Sequence, residues 1–227
     1  SQHDFISECK KYNIIPLTTC FTINRVPELA ELDWKSIKIA SYDCASLKMI
    51  EKICNYFDEL FISTGATYDY EIEETVNFLN KRMMKFFLLH CVTIYPTPLN
   101  DLNLKRLNYL KSFTEYVGFS DHSLVKDDDL FASKCAIYLG AKVIERHFTV
   151  LQESETKDGP VSINPNQLKD LHLFSLLSKD DQKLYLDENF KNWQNIVLGE
   201  EKRNLTSSIY AGYYIPYCRI FKTDICF

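Results

Sequence analysis

Six short apolar runs, each closed by polar residues and separated by about one helix-length of chain, constrain this sequence more than any other feature. They cover residues 14–20, 37–43, 60–64, 86–92, 116–121 and 142–148. Their starts lie roughly 23 to 30 residues apart, the length a strand, a helix and two connections need. Amphipathic stretches at 45–57, 70–81, 104–112 and 130–139 fill the gaps. Such alternation predicts a parallel sheet covered by helices. Helix punctuation agrees. Thr67 and Asp69 are placed to cap a helix whose first turn holds Glu71, Glu73 and Glu74. Gly140 stands where a C-terminal cap ends the helix before the last run. The alternation stops after about Leu186. Residues 1–186 therefore read as the main domain, 187–204 as a polar linker or peripheral helix, and 205–227 as the aromatic, β-like start of a second element.

Composition removes whole classes. With 46% hydrophobic, 25% charged and 14% aromatic residues, the 227-residue chain is neither disordered, collagen-like nor a coiled coil. A net charge of −5 and the lack of a Lys/Arg cluster argue against nucleic-acid binding. No run of about eighteen apolar residues is present, so no membrane span is expected. Eight cysteines are scattered without a C-x-x-C pair, and several lie inside apolar runs. That usage fits reduced, buried thiols in a cytoplasmic protein better than a disulfide framework.

The polar residues fall in register. Thr18 and Thr19 close the first run; Ser41 and Asp43 close the second, which also carries Lys38; Ser63 and Thr64 close the third. The fourth ends in His90, Thr93 and Tyr95, the fifth in Ser120, Asp121 and His122, the sixth in Glu145, Arg146 and His147. In a parallel α/β fold these ends share one face, where barrels and doubly wound sheets place active sites. Period-two alternation pairs Ser120 with His122 and Glu145 with His147, and turns Arg146 the other way, toward an ion pair in the helix layer. Thr18, Thr64 and Asp121 are expected to fix strand ends and turns. Phe86, Phe87, Phe131 and Phe148 are expected in the core. The residues leave two readings of His122 and His147 open: ligands of one divalent metal, or two hydrogen-bonded histidines at strand ends. Lys38 and Ser41 are three apart, so a bulge or the exit turn must bring them to one side.

Five segments in order, Lys38-Ile-Ala-Ser41, Ile62-Ser-Thr-Gly65, Leu89-His-Cys91 with Tyr95-Pro-Thr-Pro98, Phe119-Ser-Asp-His122 and Val143-Ile-Glu-Arg-His-Phe148, closely resemble the sialic acid synthase family. That family includes N-acetylneuraminate, legionaminate and pseudaminate synthases. In the tail, Ser208-Ile-Tyr-Ala211, Ile215-Pro216 and Thr223-Asp-Ile225 resemble the opening of an antifreeze-like (SAF) domain, with Cys218 where that pattern has glycine.

The resemblance implies a (β/α)8 TIM barrel, present here as strands three to eight, followed by the start of the antifreeze-like domain. It implies a transferase that condenses phosphoenolpyruvate with an N-acetylated mannosamine-type sugar into a nine-carbon 2-keto acid and phosphate. Such products serve carbohydrate biosynthesis, including bacterial surface polysaccharide. The implied cofactor is a divalent metal, Mn2+ first and Mg2+ or Co2+ as alternatives, on His122 and His147. Phosphate and carboxylate contacts map to Thr19, Lys38, Ser41, Ser63, Thr93 and Ser120, a sugar contact to Tyr95, and proton or water handling at C2 to Asp43. The full-length protein is expected to be a homodimer. Two family motifs of the first strands, Glu-Ile-Gly-x-Asn-His and Lys-x-Gln, do not occur in this sequence, and Lys157-Asp-Gly-Pro-Val-Ser-Ile163 stands where many members carry Gly-Pro-Asp. The chain is therefore expected to be a fragment, inactive alone. The alternatives are a non-catalytic homologue acting as a binding or assembly partner, and another phosphoenolpyruvate-dependent keto-acid synthase.

Overall fold

A computed structural model of the chain describes residues 1–201. The expected antifreeze-like segment at 205–227 lies outside the described residues. The chain divides into two compact units, Ser1–Leu88 and Leu89–Phe227.

The first unit opens with α1 (Gln2–Lys11), capped by Ser1, whose hydroxyl accepts the Asp4 N–H at 3.3 Å. Asn13, at φ 56°, turns the chain out of α1, and the Ile14 N–H bonds back to the Cys9 carbonyl at 2.8 Å. This exit consumes residues that the apolar pattern gives to a strand, so β1 is only Leu17–Cys20. Then follow α2 (Val26–Ala30), β2 (Ser36–Ile39), α3 (Leu47–Cys54), β3 (Glu59–Ser63) and α4 (Asp69–Lys81). Strand β4 (Lys85–Cys91) runs through the boundary into the second unit.

Pairing is parallel, with Thr19 beside Lys38 and Lys38 beside Phe61. Ile37, Ile39, Leu60 and Ile62 are fully buried, whereas Lys38 and Phe61 between them are half-buried. One sheet face is therefore dry and the other carries the polar groups. Ile72, Val76 and Leu79, at helical spacing, give α4 its buried stripe. Neither Thr67 nor Asp69 caps this helix. Glu71 reaches back to accept the Tyr68 N–H at 2.8 Å, and the Thr67 hydroxyl is drawn instead to the Ser41 carbonyl at 2.9 Å. A tertiary hydrogen bond has replaced the local one.

The second unit holds the rest of β4, then α5 (Arg106–Lys111), β5 (Val117–Asp121), α6 (Val125–Asp128), α7 (Phe131–Tyr138), β6 (Val143–Arg146), α8 (Pro165–Ser175), α9 (Lys179–Asn189) and α10 (Trp193–Val197). Strands β5 and β6 pair in parallel, aligning Ser120 with Glu145 and Asp121 with Arg146. Within each unit the pairing follows chain order, β1–β2–β3 in the first and β5–β6 in the second, as successive βα crossovers give. Gly118 has no room for a side chain: a Cβ there would stand 2.4 Å from Leu89 Cδ2 and 2.7 Å from the Val143 carbonyl oxygen. Gly140 (φ 89°) ends α7 as expected, with Gly140 N–H bonded to Ile137 and Ala141 N–H to Ala136, both at 2.9 Å.

Lys134 of α7 is buried and ties α8 and α9 to it, its ammonium 2.8 Å from Asp170 and 2.7 Å from the Tyr185 hydroxyl. The segment expected as linker or peripheral helix contains the last residues of α9 and all of α10. Trp193 and Val197 are buried, and Trp193 Nε1 donates to Asp187 at 2.9 Å. Cys9, Cys20, Cys44, Cys91 and Cys135 are buried. Among the described residues no helix is long and apolar enough to cross a membrane.

Candidate active site

The polar strand ends gather in two clusters, one per unit. In the first, ladder register sets the geometry. Thr19 and Lys38 are neighbours on β1 and β2, both half-buried. Because Lys38 aligns with Phe61, Ser63 stands one period-two step farther along that face. Between Lys38 and Ser41 the strand gives way to its exit turn: β2 ends at Ile39 and Ser41–Asp43 is a 3-10 turn. Ser41 Oγ accepts the Gly65 N–H at 3.1 Å, which leaves its own proton to donate. Asp43 is buried, and its carboxylate accepts from Ser46 Oγ at 3.4 Å. Ser63 Oγ is buried and meets no hydrogen-bond partner among the described residues. A buried orphan hydroxyl is an exception that a bound ligand would satisfy.

In the second unit rings dominate. The His122 and His147 centroids are 5.7 Å apart, and the Tyr95 ring lies 5.3 Å from the first and 5.8 Å from the second. Alternation along β5 and β6 brings the imidazoles together, because residues 122 and 147 are the next step after the aligned pair Asp121 and Arg146. Ser120 donates to Glu145 in the same alignment, so the Ser120 proton is engaged within the protein. Thr93 Oγ1 is a second buried hydroxyl without a partner among the described residues.

Burial holds the His122 imidazole below its usual range, and the neighbouring His147 adds to this. A hydrogen bond to the Val92 backbone and the carboxylates of Asp121 and Glu145 oppose it. His122 is accordingly neutral at pH 7, the form that ligates a metal. Among the described residues no group of three or more His, Cys, Asp and Glu side chains is placed to hold a metal. His122 and His147 are the imidazole donors that this cluster brings together.

One member of this cluster is absent from the residues expected from sequence. Asp158 accepts from the Tyr95 hydroxyl at 2.6 Å, and its second oxygen is 3.7 Å from His147 Nδ1. Burial, then this carboxylate, push the Tyr95 phenol well above its ordinary range, so it remains a donor. The loop carrying Asp158 is tight. A Cβ on Gly159 would stand 2.0 Å from the Glu153 carbonyl, and Ser162 Oγ closes on the Asp158 carbonyl at 2.7 Å. The Asp-Gly-Pro sequence after Lys157 was the signal available, but it marks a turn and not where the carboxylate returns. Cys91 was also unassigned; its Sγ lies 3.9 Å from His122 Nδ1.

Other strand-end residues serve structure. His90 is fully buried, its Nε2 2.6 Å from the Leu102 carbonyl, on the face opposite Leu89 and Cys91. Asp121 and Arg146 form a buried ion pair, as expected for residues facing the helix layer. Phe86 and Phe131 are core; Phe87 is half-buried and stacks on Phe61 at 4.4 Å. Phe148 departs from expectation at 51% exposed, because β6 ends at Arg146 and Phe148 makes only an isolated bridge to Ile163.

Comparison with known proteins places this geometry. The NeuB family model matches residues 1–174. The chain is 39% identical over 170 residues to the N,N'-diacetyllegionaminic acid synthase of Campylobacter jejuni, covering 73% of this chain and 50% of that protein. It spans about half the length of the relatives it matches. Among solved structures it is similar to the spore coat polysaccharide biosynthesis protein SpsE of Bacillus subtilis (TM-score 0.75, 23% identity, 91% of this chain and 58% of that one). It is also similar to the N-acetylneuraminic acid synthetase of Leptospira borgpetersenii in complex with citrate (TM-score 0.71, 26% identity, 96% and 70%).

Proposed function

The chain belongs to the NeuB family, and from that premise we propose that it is part of a cytoplasmic synthase joining phosphoenolpyruvate to an N-acetylated mannosamine-type sugar. A carbon–carbon bond forms between C3 of phosphoenolpyruvate and the sugar aldehyde carbon, water adds at C2, and phosphate leaves, giving a nine-carbon 2-keto acid. The observation that carries this reading is the cluster of His122, His147 and Tyr95 at the ends of adjacent parallel strands. The names of the similar proteins, an N,N'-diacetyllegionaminic acid synthase and an N-acetylneuraminic acid synthetase, support it.

Roles follow from chemistry. Lys38 supplies a point charge, and Thr19, Ser41 and Ser63 supply short donors, a set suited to the phosphate and carboxylate of phosphoenolpyruvate; in the second unit Thr93 is a further short donor. The Ser63 hydroxyl, without a partner among the described residues, gains one when that anion binds. His122 and His147 hold the divalent ion, Mn2+ in this reading. When bound, the ion supplies Lewis-acid polarisation of the sugar aldehyde. Tyr95, fixed by Asp158, orients the sugar, and Asp43 handles the proton or water at C2. The 227 residues span about half the length of the relatives they match, and in this reading they do not turn over alone.

A phosphate-release assay with phosphoenolpyruvate, N-acetylmannosamine and Mn2+ tests the reaction, using a protein extended by the family's first two strands. His122→Ala or His147→Ala should abolish turnover there and weaken Mn2+ binding by the 227-residue chain. Unchanged Mn2+ affinity in both variants removes the metal assignment. An extended protein that binds Mn2+ but turns over no hexosamine derivative favours the non-catalytic binding partner instead.

A further inference from the structure

The two histidines lie one residue beyond the last aligned pair of their strands, since β5 ends at Asp121 and β6 at Arg146. Alternation brings both rings to one face, but ladder pairing stops short of them, so a further contact must fix their spacing. Behind the rings, on the opposite face, Arg146 Nη1 bonds to Asp121 Oδ2, to Ser123 Oγ at 3.1 Å and to Ser133 Oγ at 3.4 Å. Its Nη2 donates to the Ser123 carbonyl at 2.9 Å. Asp121 in turn accepts from the Ser123 N–H at 2.9 Å, Ser123 Oγ at 2.6 Å and Ser133 Oγ at 2.5 Å. The network is dry: Asp121 and Arg146 side chains are 0% and 2% exposed, and Ser123 and Ser133 are buried.

We propose that Arg146 is a positioning residue that fixes the His122–His147 geometry by gripping both neighbours of His122, Asp121 and Ser123, while being itself the residue before His147. A planar guanidinium does this because its two nitrogens reach two acceptors in a fixed fork; an ammonium on a flexible stem reaches them one at a time. Ser133, on α7, completes the grip by tying Asp121 to the helix layer. The inference rests on His122 and His147 acting as a pair, but not on which reaction they serve.

The test uses the isotope-labelled 227-residue chain, in wild type and Arg146→Lys. Ring-to-ring nuclear Overhauser contacts among His122, His147 and Tyr95 report the geometry without metal, Mn2+ affinity reports its use, and thermal unfolding reports the fold. Arg146→Lys is expected to remain folded, lose the His122–His147 contact and bind Mn2+ about tenfold more weakly. Should that variant not fold, Ser123→Ala, which keeps the charge pair and removes one hydroxyl from the grip, is expected to weaken the same contact and lower Mn2+ affinity about threefold. Unaltered ring contacts in a folded variant overturn the proposal. If wild type itself binds no Mn2+, the metal reading fails, and the ring contacts still decide the role of Arg146.

Discussion

The two clusters of strand-end residues are built on different principles. In the first unit the groups stand on the ladder itself: Thr19, Lys38 and Ser63 take their places from register, and Ser41 is wired to the Gly65 amide. In the second unit the rings stand past the ladder's end, backed by a buried ion pair and faced by a loop carboxylate. Short hydroxyls need only the backbone to be placed, because they have one rotatable bond. Imidazoles and phenols need their surroundings, because ring orientation decides which atom faces a ligand. The second cluster should therefore be the more sensitive to substitutions outside itself.

The largest expected effect tests that sensitivity. Arg146→Met leaves Asp121 as a buried, uncompensated charge and should cost about 3–5 kcal/mol, read in chemical denaturation of the chain. A cost below ~1 kcal/mol would mean the serine hydroxyls alone satisfy Asp121 and the contrast between clusters is false. Gly118→Ala comes next. It forces a methyl against Leu89 and the Val143 carbonyl, with an expected loss of about 1–3 kcal/mol and weakened β5–β6 register, visible as faster amide exchange in β6. On the first-unit side, Ser41→Ala removes the acceptor of the Gly65 N–H and should cost about 1 kcal/mol, with no change in the ring contacts of Tyr95, His122 and His147. The smallest effect on stability is the most informative about ligands. Ser63→Ala deletes a hydroxyl that has no partner among the described residues, so unfolding should shift by less than about 0.5 kcal/mol. Calorimetry with phosphoenolpyruvate on the extended protein should nevertheless show several-fold weaker binding. A clear loss of stability with unchanged phosphoenolpyruvate affinity would remove Ser63 from the anion set.

Much of the site was legible before the fold was known. The apolar spacing located β1 through β6, with errors confined to their ends. Those errors share a cause. Ile14 was taken by the exit of α1, residues 41–43 coiled into a 3-10 turn, and Phe148 left the sheet for an isolated bridge. In each case a hydrogen bond to a residue outside the strand won over the apolar pattern. The failed caps at Thr67 and Asp69 follow the same rule, because Thr67 found the Ser41 carbonyl, distant in sequence and near in space.

What the sequence determined by itself is the alternation, the polar ends of the strands and, through period-two geometry, that Ser120 shares a face with His122 and Glu145 with His147. These are properties of residues within one strand or its immediate neighbours, so periodicity carries them. The tertiary structure alone decided that Asp158 returns to Tyr95 and His147, that the Ser63 and Thr93 hydroxyls stay unpaired among the described residues, and that Arg146 clasps both sides of His122. Each depends on where a loop or a helix closes after packing. Such closure is set by excluded volume and by the need to pair every buried polar group, and no local pattern of residues records it.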